Sequence, residues 1–178
     1  WQSLKVTTIY SVISVPLGLF MSLLTALLMN RKMKFIGVFR AIYYLPVVVA
    51  GVPVALLWMW IFNPQYGLAN VALKSAGLPE QQWLSSPKTA LASLIFMSLW
   101  GIGGAMLVFL GGLQGVPKQL YEAAELDGCN RFQMFKNVTL PMLSPVILYN
   151  LIMGIIGSFQ TFTQAFVMTN GGPANSTM

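Results

Sequence analysis

The chain has 178 residues, of which 56% are hydrophobic and only 8% charged, with a formal net charge of +6. A soluble domain carries about 25% charged residues, so a water-facing surface around the whole chain is excluded and lipid must solvate much of it. One cysteine, Cys129, and no histidine exclude an internal disulfide, a Cys/His zinc site and the usual general base.

Four apolar runs meet the length of about 20 residues that a bilayer core requires. They span residues 6–29, 41–62, 89–113 and 142–168, and none contains Asp, Glu, Lys or Arg. Backbone N–H groups in lipid must be satisfied within their own segment, so each run is expected to be helical. Pro16, Pro46 and Pro53 lie in the first two, where proline bends a helix by freeing a carbonyl; the bends can be shape or hinge. Trp58, Trp60, Phe62 and Tyr66 at one end of the second run, and Tyr43 and Tyr44 at the other, are expected to anchor it at the two membrane surfaces. Turn residues separate the runs, notably Asn63-Pro64-Gln65-Tyr66-Gly67, and residues 70–76 read as a short interfacial helix.

Basic residues set the orientation. Arg31, Lys32, Lys34, Arg40, Lys118, Arg131 and Lys136 fall on one side, against Lys5, Lys74 and Lys88 on the other. The 31–40 loop and the 117–141 segment are therefore expected in the cytoplasm, and the tail at 170–178 outside. These clusters lack the interleaved aromatics of a nucleic-acid surface; their partner is the bilayer. The fold class expected is an all-α membrane protein, a polytopic bundle of four spans with a cytoplasmic helix–turn–helix.

That helix–turn–helix is Pro117 to Pro141, which holds three of the four acidic residues, Glu122, Glu125 and Asp127. Pro117 suits the first helical position, where its missing N–H has no partner to lose, Gly128 the position just past a helix end, and Asn130 the cap of a second short helix, with Pro141 expected to stop that helix and open the fourth span. Surface-bound amphipathic helices favour Lys and Arg on the polar face. An acidic one, with small Ala123 and Ala124 permitting close approach, points to a protein partner.

Glu122-Ala123-Ala124, three residues, Gly128, nine residues, then Val138-Thr139-Leu140-Pro141 resembles the EAA motif of permeases of binding-protein-dependent ABC importers, with Val138 where the family usually has Ile. Thr169-Asn170-Gly171-Gly172-Pro173 with Ser176-Thr177 resembles the signature of the carbohydrate-uptake branch, as does Glu125-Leu126-Asp127-Gly128. The resemblance covers the whole chain. It implies a six-span core of which this chain holds four spans as a single domain over 1–178, in the cell inner membrane. It also implies a second permease subunit, a dimer of ATP-binding-cassette ATPases, a soluble extracytoplasmic binding protein and a sugar substrate. Glu122, Ala123, Ala124, Asp127, Gly128, Leu140 and Pro141 would then form the ATPase-coupling set.

For the substrate pathway, Met97, Trp100, Gly101 and Gly104 share one helical face, as do Gly154, Gly157, Ser158 and Thr161, with Asn150 a turn earlier. A sugar needs hydroxyl and amide partners, an aromatic platform and room. The same small faces also serve helix packing, and Ser or Thr can bond its own helix. Gln160 and Gln164 face this cavity or another subunit. No phosphate-binding Gly-Lys-Ser/Thr loop is present, so the chain is expected to be no enzyme and to carry no cofactor or metal, with ATP used by partner subunits. An ion-coupled transporter would place ionisable groups in the spans, and a membrane enzyme a nucleophile with its base; the spans have neither, while sodium coupling through carbonyls and a glycerol phosphate substrate stay open.

Overall fold

The computed structural model describes residues 1–31, 34–49, 51–161 and 163–173. Lys32, Ser176 and Thr177, used above, lie outside the described residues. Among those described, secondary structure is entirely helical: α1 (Gln2–Met29), α2 (Ile36–Val48), α3 (Gly51–Ile61), α4 (Leu68–Ser75), α5 (Ala90–Ser98), α6 (Gly103–Gln114), α7 (Lys118–Leu126), α8 (Arg131–Met134), α9 (Leu140–Phe159) and α10 (Thr163–Thr169).

The burial pattern is that of a protein in lipid. Ile13, Leu17, Phe20, Leu24 and Leu28 of α1 are exposed, as are Leu148, Ile152, Met153, Ile155, Ile156 and Phe159 of α9. Ser11, Ser14, Ser22 and Thr25 of α1, with Asn150 and Ser158 of α9, are buried. Water would not tolerate so wide an apolar surface; hydrocarbon would. By length and composition two helices can cross a membrane alone, Gln2–Met29 and Arg131–Phe159, and up to four spans result if each bent pair counts as one.

The two bent pairs divide the second and third apolar runs. Helices α2 and α3 meet at 99°. Pro46 lies within α2, and Pro53 sits in the first turn of α3, where a missing N–H has no helical partner to lose. Helix α5 runs on through a 3₁₀ turn at Leu99–Gly101, and the path bends by 46° between Gly101 and Gly103, where α6 begins. By contrast α1 runs unbroken through Pro16.

Two packed cores hold the bundle. One gathers Ala26 and Met29 of α1, Met106, Phe109, Leu110 and Leu113 of α6, and Leu143 of α9. The other gathers Ala55, Trp58 and Phe62 of α3 and its end, Leu94 and Met97 of α5, and Ala165 and Met168 of α10. Lipid tails are as apolar as leucine, so close packing and internal hydrogen bonds hold these helices together. Gly103 shows how close: a Cβ there would run into the Tyr43 carbonyl of α2.

The expectation that Trp58 and Phe62 are surface anchors is corrected. They are 6% and 2% exposed, in an aromatic ladder in which Trp83 stacks on Phe62 at 5.1 Å, Phe62 meets Trp58 at 5.0 Å, and Trp58 meets Trp100 edge-on at 5.8 Å. The Trp58 and Phe62 rings both pack against Phe96 of α5. Trp60 and Tyr66 do face outward. The connection from 63 to 89 folds around Asn70 of α4. Its amide donates to the carbonyls of Pro64 (2.9 Å) and Gln81 (3.0 Å) and accepts from Gln81 N–H (3.1 Å) and Trp83 Nε1 (2.8 Å).

Candidate functional site

The chain presents two features that chemistry or force could act on: the α7–α8 projection and a polar groove between the helices.

Helix α7 follows Pro117, whose extended backbone (φ −60°, ψ 132°) makes it the residue before the helix. The helix ends in a Schellman turn: Cys129 N–H donates to the Ala124 carbonyl at 2.9 Å and Gly128 N–H to Glu125 at 3.0 Å. Gly128 takes φ +76°, the left-handed conformation that this turn needs. Asn130 then opens α8 with a reciprocal capping box: its side chain accepts from Gln133 N–H (2.9 Å), and Gln133 Oε1 accepts from Asn130 N–H (2.8 Å). Each half of the turn is therefore closed by its own hydrogen bonds, which makes the projection stiff.

Pro141 does not stop the second helix. The helical path is continuous from Arg131 to Phe159, carried through a π-turn at Phe135–Thr139 in which Leu140 N–H bonds back to Phe135. Pro141 has no N–H to give to the carbonyl four residues back, and its ring would crowd that carbonyl. One extra residue in the turn relieves both problems. The membrane helix α9 and the polar α8 are thus one body.

Of the coupling set, Glu122, Ala123, Asp127 and Gly128 are exposed, as are Leu140 and Pro141, while Ala124 is buried. Ala124 therefore packs within its own chain, and Ala123 alone offers a small outward surface. Among the described residues Glu122, Glu125 and Asp127 form no ion pair; the one found is Lys74–Glu80 at 2.6 Å. Beside the acidic groups lie two exposed apolar side chains, Leu126 at 91% and Phe132 at 73%. The sequence reading passed over both, although Leu and Phe flanking a polar turn were visible.

The groove is about 530 Å³, lined by α1, α2, α3, the α5–α6 break and α9. It brings together Met97, Trp100, Gly101, Asn150, Gly154, Gly157, Ser158 and Thr161. Gly104 is left outside its lining; a Cβ there would sit 3.9 Å from Val47 Cγ1 of α2. Gln164 lines the groove, and Gln160 lines a neighbouring recess with it. Trp100 and Gly101, both in the 3₁₀ turn, lie in the wall.

Several polar donors here are already used. Asn150 Nδ2 donates to Val146 (3.0 Å) on its own helix, and Thr161 Oγ1, just past the end of α9, donates to Gly157 (2.9 Å). Ser158 Oγ bonds the Ile155 carbonyl at 2.7 Å and Ser11 Oγ of α1 at 2.8 Å. The Asn150 carbonyl and the hydroxyl lone pairs are what a ligand could still use. No charged side chain lines the groove among the described residues.

Sequence reasoning missed the α1 wall, Tyr10, Ser14, Gly18 and Ser22. Its signal was present: Ser11, Ser14, Gly18, Ser22 and Thr25 fall on one helical face. A smaller recess of about 280 Å³ adjoins the groove, sharing Tyr10, Met97, Ser158, Thr161 and Gln164 with it.

A helical bundle with an apolar outer surface, bent spans and an uncharged groove defines a multi-pass membrane protein. The chain belongs to the family of binding-protein-dependent transport system inner membrane components, whose sequence profile matches residues 10–178. It is 41% identical to the probable ABC transporter permease protein YesP of Bacillus subtilis, over 100% of this chain and 59% of that protein. It is 38% identical to the trehalose/maltose transport system permease protein MalF of Thermococcus litoralis, over 99% of this chain and 60% of that protein. With the lactose transport system permease protein LacF of Rhizobium radiobacter it shares 36%, over 100% of this chain and 61% of that protein. A crystal structure of a bacterial ABC transporter that imports the acidic polysaccharide alginate superposes with a TM-score of 0.86 at 27% identity, covering 99% of this chain and 62% of that one. The chain thus spans about three fifths of the length of the relatives it matches.

Proposed function

We propose that this chain is part of the permease subunit of an ATP-driven sugar importer, with the groove as a segment of the translocation pathway and α7–α8 as the element that receives force from ATPase subunits. The observation that carries this reading is the continuity of Arg131–Phe159. One continuous helix runs from α8, which bears the exposed Phe132 and follows the acidic α7 across a hydrogen-bonded turn, to the wall of the groove, so a displacement passed to one end reaches the other.

The likeness to permeases named for trehalose, maltose and lactose supports a carbohydrate substrate. The uncharged lining of the groove favours a neutral one, bound through amide and hydroxyl groups against the Trp100 ring. The role of this chain is passive in the chemical sense: it supplies shape and hydrogen bonds, needs no cofactor of its own, and leaves ATP hydrolysis to its partners. A second permease subunit would close the open side of the groove. A soluble binding protein would deliver substrate; an alginate transporter structure includes such a protein carrying an alginate pentasaccharide. The excess of basic residues around 31–40 and 118–136 supports a cytoplasmic placement of α7–α8.

The test is cross-linking from Ala123→Cys in a Cys129→Ser background within the complete transporter. Adducts with an ATPase subunit are expected. Labelling of that cysteine from outside intact cells, with no adduct formed inside, refutes the reading.

A further inference from the structure

We propose that the Tyr121–Thr139 hydroxyl pair is the joint through which movement of α7 is passed to the membrane helix α9, so that both are positioning residues for transport; this rests on the coupling role assigned to α7–α8 above. Tyr121 immediately precedes Glu122, and Thr139 immediately precedes Leu140-Pro141. Neither belongs to the coupling set that the sequence motif suggests. In the fold, Tyr121 Oη lies 3.0 Å from Thr139 Oγ1.

Two routes lead from α7 to α9. One follows the chain through the Gly128 turn, four residues of turn and cap that hold themselves together, and on through α8. The other is this lateral bond, which crosses directly from the middle of α7 to the base of α9. Thr139 is 5% exposed, so water does not compete freely for its hydroxyl, and a bond sheltered in this way holds its geometry better than a solvated one. The Thr139 hydroxyl also approaches the Met134 carbonyl at 3.5 Å. Tyr121, Thr139 and the α8 end thus form a short relay.

The π-turn sets the geometry. Each residue of an α-helix advances about 100° around its axis, so the extra residue at Phe135–Thr139 rotates α8, and the α7 attached to it, by about that angle relative to α9. A regular helix would leave α7 on another side of α9 and take Tyr121 away from Thr139. The π-turn that accommodates Pro141 is therefore also what brings the two hydroxyls together. A push on the exposed face of α7 thus has a direct lateral route to α9 at Thr139, one helical turn before Leu143 of the buried core, beside the route through the Gly128 turn.

The test uses the complete transporter, with Cys129→Ser and a nitroxide on Leu148→Cys, a position of α9 that is 57% exposed to lipid. Trapping with ATP and vanadate is expected to shift the nitroxide spectrum of the otherwise wild-type protein. Tyr121→Phe and Thr139→Val each lower the ratio of shifted to unshifted populations about fivefold, the effect of losing one sheltered neutral hydrogen bond. Thr139→Ser, which keeps the hydroxyl, restores it. The double variant is no worse than either single one, since both remove the same bond. ATPase subunits still co-purify, and ATP hydrolysis continues, in all variants.

A full spectral shift in Tyr121→Phe and Thr139→Val overturns the joint. Loss of the ATPase subunits from those variants also overturns it, because the bond would then shape the docking face without passing motion on. Failure of wild-type Ala123→Cys to cross-link to an ATPase subunit is a separate result: it removes the coupling role itself and the joint with it.

Discussion

Replacing Gly128 tests the mechanical reading of the α7–α8 turn most directly, and the structure says which property of the new side chain matters. A Cβ at this position meets nothing within 4 Å, so size is no obstacle within this chain. The backbone is the obstacle: φ is +76°, where an L-residue costs roughly 1–2 kcal/mol. Alanine recovers about 0.4–1 kcal/mol by restricting the unfolded chain, leaving a net cost near 1 kcal/mol, or about fivefold in the opening of the turn. Asparagine tolerates the left-handed region and should cost less; β-branched valine should cost most. The reporter is hydrogen exchange of the Cys129 amide, which is bonded to Ala124 across the turn, in the chain held in nanodiscs. Exchange is expected to quicken in the order Asn, Ala, Val. Within the complete transporter, transport per ATP hydrolysed should fall in the same order. An order that follows side-chain volume, with Asn worse than Ala, would show that contact with another surface governs the site, and the strain argument would be abandoned.

Gly67 should fail for the opposite reason: its φ is −71°, open to any residue, but a Cβ would strike the backbone of Ile61 and Asn63. Gly67→Ala is expected to cost about 1–3 kcal/mol, seen as a lower thermal midpoint in detergent. Asn70→Ala removes four hydrogen bonds around a residue only 3% exposed. At about 0.5–1.5 kcal/mol each the loss is about 2–6 kcal/mol, and protease should then cut within 76–89 much faster, whereas unchanged cleavage would mean the loop holds itself. Trp58→Phe should be mild for so buried a site, under about 1.5 kcal/mol, because the Trp58 Nε1 lacks a protein acceptor among the described residues and its removal lifts a desolvation cost that offsets the lost volume. Trp58→Ala, which empties the ladder, should cost about 3–5 kcal/mol in the same melting assay.

The lever was legible in the sequence because its chemistry is local. Gly128 and Asn130 each act on backbone groups within a few residues, so their roles follow from position along the chain; Pro117, expected as the first helical residue, is instead the extended residue before it. The Pro141 expectation went astray because a proline says that a hydrogen bond is lost, not how the backbone adjusts. A helix stop and a π-turn both satisfy it. The groove was half legible. The faces of Trp100 and of Gly157-Ser158-Thr161 follow from helical period, but which face meets which depends on the bends between Gly101 and Gly103 and between α2 and α3. The tertiary packing sets Gly104 against Val47 and outside the groove lining, and makes Trp58 and Phe62 core residues.

The amino-acid sequence by itself determined the solvent, the helices and the local caps, since hydropathy and turn chemistry act over a few residues at a time. Only the tertiary structure decided that Ser158 meets Ser11 across 147 positions, that the aromatic ladder turns inward, and that Tyr121 lies over Thr139. In lipid, apolar faces have no preferred partner. Which helices meet is settled by the fit of small residues and the direction of a bend, and neither is written in any one segment.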